Sequence, residues 1–198
     1  PAQCRPNCLV ADPIDTATGA QVLTHNLLSV EGVLPISATL SYNSLLVTQG
    51  VVGRSWSLNG FDTRLQALPS GDIEVHWSTN RSNVFKNQGN GQFSSTDLVT
   101  LYDKLVKNTD DTFTLTRQNQ TVYEFDDSGL LVSLRNQKGQ SLAFKRDAMG
   151  RLVQITEPVS GVFLKYTYHN NLLATITDSI NRQVHLGYDS DKNLVKIT

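Results

Sequence analysis

Leu131, Leu152, Leu173 and Leu194 stand 21 residues apart, and Leu134, Ile155, Ile176 and Ile197 repeat the same step three positions later. Thr156, Thr177 and Thr198 follow the last three of these directly. A period of this length marks a supersecondary unit that cannot bury its apolar face alone and must pair with its neighbours. The contents of the unit say which kind it is. Upstream of each Leu an alternating run recurs: Tyr123 and Phe125; Leu142, Phe144 and Arg146; Leu164, Tyr166 and Tyr168; Val184, Leu186 and Tyr188. That is the period of two expected for a strand with one apolar face. Between the run and the Leu lies turn chemistry, carried by Asp126 and Gly129, Asp147 and Gly150, Asn171, and Asp189 and Asn193. Asp accepts local backbone hydrogen bonds, and Gly or Asn tolerates positive φ. Each unit is therefore strand, turn, strand. The third is one residue shorter at the Asn170–Asn171 turn and one longer at Pro158–Gly161, and the two changes cancel. The Leu-x-x-Ile spacing does not fit a period of two; it fits either a bulge or a strand end.

The first 120 residues carry the same class of signal without the period. Ile36, Ala38, Leu40 and Tyr42 alternate with Ser37, Thr39 and Ser41; Ile73, Val75 and Trp77 alternate with Glu74 and His76; Phe113 and Leu115 alternate with threonines. Turn punctuation separates them at Asn59-Gly60, Pro69–Asp72 and Gln88–Gly91. Leu98, Leu101, Tyr102 and Leu105 fall at helical spacing behind Ser95 or Thr96, but Val99, Thr100 and Val106 favour a strand, and the stretch reads as strand. The expectation is an all-β chain: a β-rich amino-terminal domain over residues 1–120, then an antiparallel sheet of tandem hairpins over residues 121–198. The array would continue past Ile197, because its last strand otherwise leaves an open edge suited to strand pairing, including pairing with a second copy.

Composition removes several function classes. The formal net charge is −1 with no basic cluster, so nucleic acid is not an expected partner. No apolar run approaches the roughly 20 residues of a membrane span. Cys4 and Cys8 are free or locally bridged, since a C-x3-C pair without further Cys or His makes a poor zinc site. The chain opens Pro1-Ala2-Gln3 without Met, as a processed or excised segment would.

The residues together resemble the Rhs, or YD-repeat, family. Tyr188-Asp189 with Leu194, and Asp147-x-x-Gly150-Arg151-Leu152-x-x-Ile155-Thr156, are similar to its repeat. Asp12-Pro13-Ile14-Asp15-Thr16-Ala17-Thr18-Gly19, Leu34-Pro35-Ile36 with Ser41-Tyr42-Asn43-Ser44, and Gly53-Arg54-Ser55-Trp56-Ser57 resemble, in order, segments of the domain that precedes the repeats. Arg146 stands where the family has Tyr, His169 where it has Asp, and Lys192 where it has Gly. The resemblance implies a curved, hollow β-shell that encloses a carboxy-terminal toxin, released by self-cleavage in a region beyond this segment. It also implies export as a bacterial effector, often by type VI secretion, from the cytoplasm to the exterior or cell surface in interbacterial competition. The implied partners are the remaining repeats, the toxin, and a spike or adaptor of the secretion machinery.

Chemistry is weaker than architecture. His25, His76, His169 and His185 share no metal-ligand spacing. The carboxylates recur with the repeat, as turn residues do and a catalytic pair would not. No nucleophile elbow, phosphate loop or calcium loop is present. No cofactor, metal site or catalytic residue is expected, and the segment reads as non-enzymatic. The expected core is Leu131, Leu134, Leu152, Ile155, Leu173, Ile176, Leu194 and Ile197. A second reading is a carbohydrate- or partner-binding module on a cell surface, with Tyr166, Tyr168 and Tyr188 as stacking platforms.

Overall fold

The computed structural model describes residues 14–15, 18–45, 49–58, 63–77 and 81–198. Cys4, Cys8, the Asn59-Gly60 turn and much of the segment around Asp12-Pro13 lie outside them. The described chain is all-β and antiparallel throughout. β1 (Ile14–Asp15), β2 (Ala20–Val30), β3 (Ile36–Asn43) and, after the short pair β4 (Gln49–Gly50) and β5 (Gly53–Arg54), β6 (Trp56–Leu58) build a four-stranded sheet in the order β1-β2-β3-β6. Every later strand joins one fourteen-stranded sheet in sequence order. These strands are β7 (Arg64–Ala67), β8 (Ile73–Trp77), β9 (Arg81–Gly89), β10 (Gln92–Ser95), β11 (Lys104–Lys107), β12 (Phe113–Thr116), β13 (Val122–Phe125), β14 (Leu131–Arg135), β15 (Ser141–Arg146), β16 (Leu152–Thr156), β17 (Phe163–His169), β18 (Leu172–Asp178), β19 (Gln183–Tyr188) and β20 (Leu194–Ile197). The division expected near residue 120 falls at the turn between β12 and β13, which pair directly, so the sheet runs on through it.

One turn design makes most of these hairpins. In eight five-residue turns, opening at Leu68, Asn108, Arg117, Asp126, Asn136, Asp147, Asp178 and Asp189, the first N–H donates to the fifth carbonyl and the fourth N–H donates back to the first carbonyl. The fourth residue always has φ between 63° and 83°. At Asp126, Asn136, Asp147, Asp178 and Asp189 the side-chain Oδ1 also accepts the third and fifth N–H groups. An Asx side chain thus caps the backbone donors that the turn leaves without strand partners. Asn90-Gly91 and Asn170-Asn171 make tighter turns, with positive φ at both residues, as two-residue hairpins need.

The Leu-x-x-Ile spacing is a β-bulge, repeated four times. Pairing slips between Glu124 and Phe125, Lys145 and Arg146, Thr167 and Tyr168, and Gly187 and Tyr188. The residues left without a cross-strand partner are Val132, Val153, Ala174 and Val195. The extra residue restores the pleat, so Leu and the residue three positions later return to the same face. Leu131, Leu152, Ile155, Leu173 and Ile176 are buried; Leu134 and Leu194 are half-buried. Ile197, expected in the core, is 36% exposed, because β20 is the outermost strand of the sheet and no described strand pairs with its outer edge.

Residues 98–102 are not strand. Asp97 Oδ1 accepts Val99 N at 2.8 Å, Thr100 N donates to Asp97 O, and the buried Thr100 hydroxyl donates to Ser95 at 2.7 Å. Local side-chain hydrogen bonding outweighs the β propensity of Val99 and Thr100, and the strand begins at Lys104.

The inner face is one apolar cluster from end to end. Phe85, Phe93, Leu115 and Phe125 line its first half; Ile155, Leu164, Leu173 and Ile176 line its second, where Val30, Ile36, Ala38 and Leu40 of the four-stranded sheet join the same core. The sheet also curls. Leu65 N donates to Gly129 O at 2.8 Å and Arg64 bridges to Leu130, so β7 returns to the turn after β13. Gly129 sits at φ 78°, and a Cβ there would lie 2.6 Å from Leu65 O. The curl therefore requires glycine at this position.

Candidate functional site

The repeat junctions and the covered inner face are where the chain spends its polar chemistry. Tyr168 Oη donates to Leu152 O at 2.7 Å, and Tyr188 Oη donates to Leu173 O at 2.8 Å. Each accepting carbonyl belongs to the Leu beside a bulge in the preceding unit. Arg146 occupies the equivalent strand position one unit earlier, and its Nε reaches Leu131 O at 3.3 Å while Nη1 donates to Gly150 O. The substitution of Arg for Tyr changes the donor and keeps the contact. Tyr188-Asp189 therefore divides two tasks between neighbours: the ring bonds back to the previous unit, and the carboxylate caps the turn. His169 stands beside a two-residue turn, which has no five-residue loop for a carboxylate to cap.

Burial removes Tyr166 as a ligand platform, and the other two rings are held in place by these contacts. Tyr166 is 2% exposed, and Tyr168 and Tyr188 are half-buried with their hydroxyls engaged. Burial pushes the Tyr166 and Tyr188 hydroxyl pKa values up. Alternation predicted strand positions for these rings but not which face they take, and they take the apolar one.

Several turn carboxylates are held ionised by their surroundings. Hydrogen bonding from Arg151 lowers the Asp147 pKa, and hydrogen bonding from Asn193 lowers that of Asp189. Burial works against Asp178, but donation from Arg182 and from two backbone N–H groups outweighs it, and its pKa falls. Asp72, bonded to Lys86, Asn87 N and Ser70, is drawn down to about 2. A buried Asp103 pairs with Arg117 at 2.6 Å, and that guanidinium lies 4.6 Å from the Trp77 ring centroid. Sequence reasoning missed this group because its members come from three strand ends.

The amino-terminal strands pack on the second half of the long sheet, β2 against β18 and β3 against β17, and are tied to it by backbone as well as apolar contact. Leu173 N donates to Val51 O at 2.7 Å, Val33 N to Glu157 Oε2 at 3.3 Å, and Arg182 Nη2 to Ser29 O at 2.7 Å. An apolar groove of about 520 Å³ opens between Leu23, Thr24 and His25, Trp56, and β20. Neither it nor three further grooves is lined by an Asp or Glu. His25, His169 and His185 are exposed, and His76 is half-buried beside Glu74 and Gln66. Among the described residues no three His, Cys, Asp or Glu side chains group as metal ligands would. No described helix is long and apolar enough to cross a membrane.

Comparison with known families gives two matches in the order of the chain. A domain of unknown function (DUF6531) matches residues 11–85, and an RHS repeat matches residues 125–162. No curated protein matches the sequence.

Proposed function

The chain belongs to the Rhs (YD-repeat) family, and from that premise we propose that it is a structural, non-catalytic segment of a toxin shell, enclosing and helping to deliver a carboxy-terminal toxin. The observation that carries this reading is the fourteen-stranded sheet, continuous in sequence order and apolar along its whole inner face. A sheet of this kind acts mechanically. Its paired backbone excludes water and protease from whatever lies within, and its turns confine polar groups to the rim. Further repeats would extend the sheet from the β20 edge, and strand pairing there is also a route to dimers. The four-stranded sheet would close the shell at its start and face the spike or adaptor of a secretion machinery. Export, type VI delivery and a role in interbacterial competition belong to the same reading.

Limited proteolysis of the full-length protein, with and without residues 1–198, tests it. The reading expects the distal cargo to become digestible when the segment is removed. Unchanged protection of the cargo overturns it and makes the segment an adaptor.

A further inference from the structure

One hairpin turn departs from the common design. Glu157–Val162 closes over six residues, through Glu157 N to Val162 O and Gly161 N to Glu157 O, both at 2.9 Å. The turns on either side along that rim, 136–140 and 178–182, close over five. Where those turns carry Asn136 and Asp178, this one carries Glu, and the extra methylene matches the extra residue. Its Oε1 accepts Val159 N at 2.8 Å, and its Oε2 accepts Ser160 N at 2.9 Å and the Ser160 hydroxyl.

The carboxylate does more than cap its own turn. It is fully buried, and Oε2 also accepts Val33 N from the tip of the β2–β3 hairpin, 124 residues earlier. Gly32 approaches so closely that a Cβ there would lie 2.7 Å from Ser160 Oγ, 2.8 Å from Val162 Cγ2 and 3.2 Å from Glu157 Oε2. At the next turn Arg182, ion-paired to Asp178, holds Ser29 O.

A sheet built on a 21-residue repeat offers near-equivalent apolar surfaces every two strands, so apolar contact alone leaves the position of a cover degenerate. We propose that the Glu157–Val162 turn is an intramolecular docking site that fixes the four-stranded sheet to one register of the array, with the Gly32-Val33 backbone as its ligand. The one-residue insertion and the Glu make this turn unlike its neighbours, and Gly32 admits the hairpin because it has no side chain. The inference stands on these contacts alone and holds whatever the shell encloses.

Amide exchange of the whole chain, resolved by NMR, tests it with three variants. Glu157→Gln removes part of the acceptor set, and Gly32→Ala obstructs the approach. Glu157→Asp combined with deletion of Pro158 rebuilds the five-residue turn used at Asp147, which keeps the hairpin well formed. In each, the Val33 amide is expected to exchange about tenfold faster or more, while β17 and β18 keep their protection. Two results overturn the proposal. One is the shortened-turn variant exchanging Val33 at the parent rate, which means apolar contact alone positions the cover. The other is equal loss of protection at Val33, β17 and β18, which makes the turn a general stability element and not a docking site.

Discussion

The hydroxyl of Tyr188 donates to the backbone carbonyl of Leu173, 2.8 Å away and one repeat upstream. Leu173 is fully buried and sits beside a bulge, where the ladder is locally disrupted and a carbonyl is easily left without a partner. The ring therefore fills the inner face while its hydroxyl satisfies the previous unit, and units are linked by more than strand pairing. Tyr188→Phe keeps the packing and orphans the carbonyl. It is expected to cost about 1–2 kcal/mol in chemical denaturation. Tyr168→Phe should cost a similar amount, since it strands Leu152 O.

The bulge makes a sharper prediction about register. Leu152 is 6% exposed, and Leu152→Ala should cost about 2–5 kcal/mol, as truncation of a packed core leucine does. Deleting Val153, the residue without a cross-strand partner, should cost more than that truncation, although Val153 is only half-buried. Without the extra residue Leu152 and Ile155 cannot both face inward, and one of them turns to water. A deletion variant as stable as the parent would mean that the four bulges are incidental.

Much of this was legible in the sequence, and the failures have physical causes. The 21-residue phase located the hairpins because each unit repeats the same local needs: an alternating strand, an Asx cap, and a fourth turn position that accepts positive φ. The choice between bulge and strand end at Leu-x-x-Ile was not legible, because a bulge is defined by the partner strand. Tyr166 read as a surface ring for the same reason: alternation fixes two faces but does not say which one is covered. The role of Glu157 was invisible, since its decisive donor, Val33 N, lies 124 residues away and belongs to the backbone. The sign of it was the single-residue insertion, which the sequence showed and local reasoning treated as a mere correction of phase.

Lys192 offers a gain of stability. It holds φ 64° at the turn position where Gly129 and Gly150 stand in sister repeats. A side chain in this left-handed region is strained by about 1–2 kcal/mol, and glycine returns part of that as unfolded-chain entropy. Lys192→Gly is expected to stabilise by about 0.5–1 kcal/mol, read as a raised melting temperature with no change in fold.

Acid should loosen the rim before the core. The folded pKa values of Asp72, Asp147, Asp178 and Asp189 lie below the ordinary aspartate value of 3.8, and that of Glu157 lies below the ordinary glutamate value of 4.5. Groups depressed in this way bind fewer protons folded than unfolded. Their contribution is fully present above the unfolded values, near pH 4, and is lost as pH falls through the folded ones. For Asp72 that window runs from about 4 down to about 2. Stability measured by denaturant titration is therefore expected to show no loss from these groups between about pH 7 and pH 5, and to decline below about pH 4. Asp147→Asn separates charge from capping. The amide oxygen still accepts the Met149 and Arg151 N–H groups, as Asn136 does in its own turn, but the ion pair with Arg151 is gone. The variant should lose a little stability at neutral pH and show a shallower acid decline than the parent. An acid decline of unchanged slope would mean that Asp147 acts only as a backbone cap, with its charge contributing nothing to the fold.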